Sequence, residues 1–252
     1  MHEILLFGQV PDLRHESVLK ILAGLAAMQP QRVIERHAIY RPYRGQVQRA
    51  SIHTGGSQVV QNAKVNRQEP QVKDLYYTKL VQSLTDDDLN SEKLTVQSNG
   101  KSTAGSWSFQ FHDVPEPSMK QASQRMVAIT AINEGDPNAW MNALGYNYLS
   151  EHILEGHRVV HENVIVLLHR LLRFPPEMRS RQAPREQLLP LNDLNPFKAQ
   201  TGYVIQASIR ISEPKPEIIK KALAELTKFK DQVKGIVDLT VVDRLSLDTR
   251  IK

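Results

Sequence analysis

The first residues to weigh are those that could hold a metal, cradle a phosphate or move a proton. Gly100-Lys101-Ser102-Thr103 has the ending of a phosphate-binding loop. The first glycine of such a loop would stand at position 95, which is Thr95, and a strand follows where a helix is needed. Without a helix N-terminus the phosphate loses both the dipole and the cradle of N–H groups. His161-Glu162 begins like a zinc-protease motif, but Ile165 occupies the place of the second histidine. His157 and His161, with Glu151 and Glu155, share one strand face, and a metal there would need a third converging ligand. Asp86-Asp87-Asp88 sits in a polar loop, and neither Gly-x-Ser-x-Gly nor Gly-x-Gly-x-x-Gly occurs. The chemistry-bearing residues therefore lack the companions that catalysis requires.

The elements that would position them can be read from periodicity. Ile4–Phe7 is a short apolar strand, and Val18, Ile21, Leu22, Leu25 and Met28 recur at helical spacing. Gln29-Pro30 stops that helix, because proline lacks the N–H and disfavours helical geometry before it. Val33…Tyr40 reads as a second strand ended by Pro42. Residues 44–72 are rich in Gln, Asn, Ser and Gly and read as a long polar loop; 85–105 and the proline-rich 175–200 read likewise. Residues 73–84 suit a strand. In Ser106–Asp113, Trp107, Phe109 and Phe111 alternate with Ser108, Gln110 and His112, the signature of a half-buried antiparallel strand. Residues 124–133 form another strand. Asp136-Pro137 opens a short helix that closes at Gly145. A strand to about Val160, a turn at His161-Glu162-Asn163 and a strand from Val164 to Phe174 make a central hairpin. Finally, residues 201–211 alternate as a strand, Pro214 and Pro216 open a second long helix with an apolar stripe from Ile218 to Val233, Gly235 closes it, and Ile236–Val242 suits a last strand.

Each end of the chain thus reads strand–helix–strand, with antiparallel strands between. We expect an α+β fold: a mainly antiparallel β-barrel of about eight or more strands, two long helices outside, and one domain spanning 1–252. Several strands carry charges on both faces, such as Glu35, Arg36, His37 and Arg41, or Glu151 and Glu155 beside His152. A closed barrel with a polar lumen explains that, and so do sheet edges that meet a partner; the sequence leaves both open. A polar lumen would suit a tunnel-type triphosphatase, which holds a divalent metal between glutamates two apart on a strand. The chain contains no Glu-x-Glu, and Glu151 and Glu155 make one pair where two are needed.

Composition narrows the function classes. The chain has 252 residues and no cysteine, which excludes disulfides, cysteine-held zinc and thiol catalysis. No apolar run approaches the roughly 20 residues of a membrane span, and the first is too short for a signal peptide. The formal net charge of +5 comes from scattered basic residues, so a solvated surface is preferred to nucleic-acid binding. Five arginines fall between Arg170 and Arg185; a solvated loop is the preferred reading, with docking of acidic segments as the alternative.

Three blocks carry a resemblance. HEILLFGQV with AGLAAMQP and RVIERHAIYRP, then LSEHILEGHRVVHENVIVLLHRLLR with its Gly156-His157 pair, then YVIQASIRISEPKPEIIKKALAELTKFKDQVKGIVDL, resemble in order the subunit 18 family of the Mediator complex. The resemblance implies a barrel related to the tunnel triphosphatases without their catalytic carboxylates, no cofactor and no metal. It implies a nuclear, non-enzymatic subunit of the Mediator head module that pairs with subunit 20, receives the C-terminal helix of subunit 8, and acts near RNA polymerase II and its initiation factors. Contact with membrane or nucleic acid is not expected. Trp107, Phe109, Phe111, Tyr146 and Tyr148 are the candidate partner-binding residues. The rival is a metal-dependent phosphohydrolase in the lumen.

Overall fold

The computed structural model describes residues 1–43, 75–90, 106–117, 120–178, 182–185, 188–197 and 202–251. The strands are β1 (His2–Val10), β2 (Gln31–Pro42), β3 (Thr78–Leu84), β4 (Trp107–His112), β5 (Ser123–Ile132), β6 (Tyr146–His161), β7 (Val164–Arg173), β8 (Asn195–Pro196) and β9 (Tyr203–Ile211). The helices are α1 (His15–Ala26), α2 (Asp86–Asn90), α3 (Pro137–Ala143) and α4 (Pro216–Gln232).

Every pairing is antiparallel. The order runs β6-β2-β3-β4-β5-β1-β9-β7, and β6 pairs with β7, so eight strands close into a barrel. The two-residue β8 adds to the end of β7. β1 is the strand on which both halves meet: His2 stands opposite Met126 of β5 on one side and Ile211 of β9 on the other.

The β6–β7 hairpin turns at Glu162 and Asn163, with Glu162 at φ +52. Its carboxylate accepts from Lys228 Nζ of α4 at 2.8 Å, and Asn163 Nδ2 donates to Glu225 at 2.9 Å. Further along the same hairpin, Gly156 lies opposite both Val33 of β2 and His169 of β7. A Cβ there would stand 2.3 Å from the Leu168 carbonyl oxygen. Only glycine lets the three strands approach so closely at the seam where the barrel shuts.

The apolar halves of the strands face outward, where helices and turns cover them. Ile4, Leu6, Val166, Leu168, Ile205, Ala207 and Ile209 form one core with Val18 and Leu22 of α1 and Ala222, Leu226, Phe229 and Val233 of α4. The stripe at 222, 226, 229 and 233 follows helical periodicity, which seats α4 flat on β9 and β7. A second core gathers Ile34, Ile153, Leu172 and Phe174 under Leu89, Leu188 and Leu194. A third gathers Ala38, Tyr40, Leu80 and Tyr148 under Met141 of α3. Asp136 caps α3 by accepting from the Asn138 N–H at 2.9 Å.

Three segments differ from expectation. The expected polar loop at 85–105 opens with a helix, α2, over Asp86–Asn90. Ile236–Val242 does not form a strand; it touches β1 at a single bridge, Phe7 with Thr240. β5 leaves β1 after Leu5, and one bridge is all the remaining edge receives. Buried Val237 and Leu239 hold the segment by side-chain packing instead. Within 175–197, the described residues do more than span a gap. Pro176–Met178 and Leu191–Asp193 form 3-10 turns, and Leu188 and Leu194 are buried. The expected loop at 44–72 lies outside the described residues, as does 91–105.

Candidate functional site

Since the helices take the apolar face of the sheet, the opposite face lines the lumen. Cross-strand register places Glu3, Arg125 and Arg210 side by side there. Arg125 donates to Glu3 Oε2 at 2.9 Å, and Arg210 donates to Oε1 at 3.3 Å. Glu3 is 2% exposed, so both its oxygens are committed to guanidinium partners away from water. The second lumen carboxylate, Glu35, lies 2.8 Å from His37 Nε2. Burial alone would raise the Glu35 pKa; the His37 hydrogen bond and charge hold it below the usual carboxylate range.

Several further lumen side chains are bases kept neutral or weakened. Burial pushes the His37 imidazole down to about 4, with the Lys79 ammonium adding to the effect. His152, its ring centroid 5.1 Å from that of His37, is pushed down to about 3, again mainly by burial. His112 and His169 are lowered for the same first reason. Burial also lowers Lys79, to about 8, against the opposing pull of Glu35. Among the described residues no group of three histidines, aspartates or glutamates is placed to hold a metal ion. The lumen can therefore store charge in closed pairs, and its described residues present no free carboxylate pair for a divalent cation.

The two glutamates weighed as catalytic on sequence grounds point the other way. Register puts Glu151 and Glu155 on the outer face of β6, with Ile153 between them in the second core. Glu151 accepts from Arg36 Nη2 at 2.6 Å and from the Arg185 N–H at 3.3 Å. Arg36 also donates to the Arg185 carbonyl at 2.7 Å, so one buried cluster ties β2, β6 and the 182–185 segment together. Glu155 bridges Arg32 at 3.4 Å and Arg170 at 2.8 Å. His157 and His161 sit on that same outer face. His157 packs 5.7 Å from His15, which stacks on Tyr203, and His161 lies against Phe229. Of Glu35, Arg36, His37 and Arg41, the lumen takes Glu35 and His37, while Arg36 is an outer-face ion-pair residue.

The candidate partner-binding aromatics also lie outside. Trp107 and Phe109 flank the third core, and every residue of β4 is half-buried. Phe109 meets Trp140 of α3 edge-on at 5.5 Å, Phe111 meets Tyr76 at 5.3 Å, and the Arg36 guanidinium lies over Trp107. Tyr148 is buried with its ring against Tyr40, and Tyr146 is half-buried beside it. Trp107, Phe109, Tyr146 and Tyr148 thus gather about the third core, with Phe111 next along β4, and together they make an aromatic band on the outer face. Its solvent edge carries Trp140 and Leu144, which are exposed. Sequence reading missed Trp140 as a member and missed the lumen group Glu3, Lys79, Arg125 and Arg210. A signal for the latter exists: single charges inside apolar strands, as in His2-Glu3-Ile4, Gln124-Arg125-Met126 and Ile209-Arg210-Ile211. Of the arginines between 170 and 185, Arg170 and Arg185 are paired, and Gly100–Thr103 lies outside the described residues.

Comparison with known proteins follows this geometry. A family model described as Med18 protein matches residues 2–250. Proteins named Mediator of RNA polymerase II transcription subunit 18 are similar along their whole length. Those of Aspergillus fumigatus and Coccidioides immitis are 34% identical to this chain, with 100% of both chains covered. That of Neosartorya fischeri is 35% identical at the same coverage. Among solved structures, a chain of the Schizosaccharomyces pombe Mediator head module superposes with a TM-score of 0.69 at 20% identity, covering 96% of this chain and 99% of that one. That superposition establishes a shared fold. Full-length identity above 30% together with the family match means that the chain belongs to the Mediator subunit 18 family.

Proposed function

We propose that the chain is a non-enzymatic, protein-binding subunit of the Mediator head module, acting in the nucleus to link regulators to RNA polymerase II initiation. The observation that carries this reading is the state of the lumen. Among the described residues, its carboxylates Glu3 and Glu35 are held by Arg125, Arg210 and His37, and the outer Glu151 and Glu155 are bound into buried or bridged ion pairs. A barrel whose lumen glutamates Glu3 and Glu35 are engaged in this way is suited to act as a rigid body for presenting surfaces. Family membership supports the Mediator assignment, and the shared fold with the head-module chain agrees with it.

Within the head, the partners are subunit 20, as a heterodimer, and the C-terminal helix of subunit 8. The aromatic band of Trp107, Phe109, Phe111, Tyr146 and Tyr148 is the proposed contact face, because aromatics bordering an exposed apolar rim supply large contact area at low entropic cost. The test is mass spectrometry of proteins co-purifying with the tagged chain. Recovery of Mediator head subunits is the expected result; their consistent absence would overturn the assignment. A parallel assay of phosphate release from nucleoside or RNA triphosphates with magnesium or manganese addresses the enzyme reading. Turnover that Glu3→Gln or Glu35→Gln abolishes would replace the scaffold by a phosphohydrolase.

A further inference from the structure

A second surface, separate from the aromatic band, lies along α4. Its core stripe seats one side of the helix on the barrel, and the adjacent side forms one wall of a groove. Lys120 and the exposed Val241 line the opposite wall, and Leu223 and Ala224 give the groove an apolar stretch. The groove holds about 1080 Å³, at the upper end of small-molecule sites and open enough for a polypeptide. From Lys220 to Lys230 the helix rises roughly 15 Å, about three turns of a docked helix.

The charge is one-sided. Lys120, Lys220 and Lys230 are exposed and have no ion-pair partner among the described residues. Lys228 is taken by Glu162 at 2.8 Å, and Asp231 is the one carboxylate among the described lining residues. Three free ammonium groups around an apolar strip are complementary to an acidic segment with apolar anchors. They suit nucleic acid poorly: the lining offers no aromatic ring for base stacking and no arginine, and Asp231 would oppose a phosphate chain.

We propose that this α4 groove binds a short acidic amphipathic helix of another protein, its apolar residues against Leu223 and Val241 and its carboxylates against Lys120, Lys220 and Lys230. Recognition combines helix-in-groove burial with long-range charge steering, so affinity falls as salt rises.

The full chain is titrated into a fluorescein-labelled 15-residue peptide alternating glutamate and aspartate with leucine and phenylalanine at helical spacing. Fluorescence anisotropy reads binding, and circular dichroism confirms that each variant is folded. Saturable binding is expected, weakened about tenfold or more by Lys220→Glu with Lys230→Glu. Leu223→Asp is expected to weaken it comparably, through lost apolar contact and added repulsion. A poly-glutamate peptide of equal charge, lacking anchors, should bind at least about tenfold more weakly than the amphipathic one. No saturable binding, or binding unchanged in folded Lys220→Glu/Lys230→Glu protein, would overturn the proposal. Equal or tighter binding of poly-glutamate or of a single-stranded RNA of matched charge would do so as well, by making the groove a general polyanion surface.

Discussion

Arg36 and Glu151 face each other across β2 and β6 at 2.6 Å, each side chain 3% exposed, beneath the 182–185 segment. The pair is structural: it replaces water for both ions and fixes the segment that covers the second core. Removing one partner strands the other charge, which costs about 3–5 kcal/mol, whereas replacing both by apolar groups costs much less. Glu151→Ala is therefore expected to lower the urea midpoint sharply, and Arg36→Met with Glu151→Leu to recover most of it. A Glu151→Ala protein as stable as the parent would contradict the pairing.

Gly156 offers a test of barrel closure. Glycine to alanine places a methyl group on the Leu168 carbonyl and the His169 backbone, which cannot yield without parting β6 from β7. Overpacking of this kind costs about 1–3 kcal/mol. Hydrogen exchange should locate the loosened amides on β6 and β7, while β4 and β5, which pair with neither strand, keep their protection.

The lumen histidines set a pH dependence. Folded His37 titrates at about 4 and His152 at about 3, against 6.5 when the chain is unfolded. Below 6.5 the unfolded chain binds protons that the folded barrel refuses, so stability is complete above 6.5 and declines as pH falls toward 4. Urea unfolding between pH 7 and 4.5 should show that slope, and His37→Gln with His152→Gln should reduce it, leaving the share of His112 and His169. A slope identical in the double variant would place the acid sensitivity elsewhere.

The aromatic band predicts separable effects on folding and binding. Phe109→Ala with Tyr146→Ala should weaken pull-down of subunits 8 and 20 in protein that remains folded. Trp140→Ser, at the exposed rim, should weaken it with no stability cost beyond about 1 kcal/mol. Loss of binding only in unfolded variants would make these residues core and nothing more.

Much of this architecture was legible in the residues. Pro30, Asp136-Pro137 and the Pro216 start mark helix boundaries through backbone chemistry that tertiary context rarely overrides. The strict alternation in Trp107–His112 gave the two faces of β4, but alternation is silent on which face is inward. In an ordinary sheet the aromatics would be core and Ser108, Gln110 and His112 solvated. Here both faces are enclosed, and the polar set lines the lumen. Glu151 and Glu155 looked like a reactive pair because spacing reports a shared face and not the partners across it; their arginines are remote in sequence, as with Arg36 and Glu151. Ile236–Val242 has strand composition, yet whether a strand forms depends on a free edge, which only the closed topology reveals.

The seating of β1 between β5 and β9 has a consequence for the timing of synthesis. His2 waits for Ile211, so the ring cannot shut until the chain has been made through β9. At about 5–20 residues per second, that leaves the first strand without one neighbour for roughly 10–40 seconds. During this interval its apolar face also lacks α4. The edge of β1 therefore stays open while the intervening strands are made, and a partner that needs a finished barrel can bind only once β9 is in place.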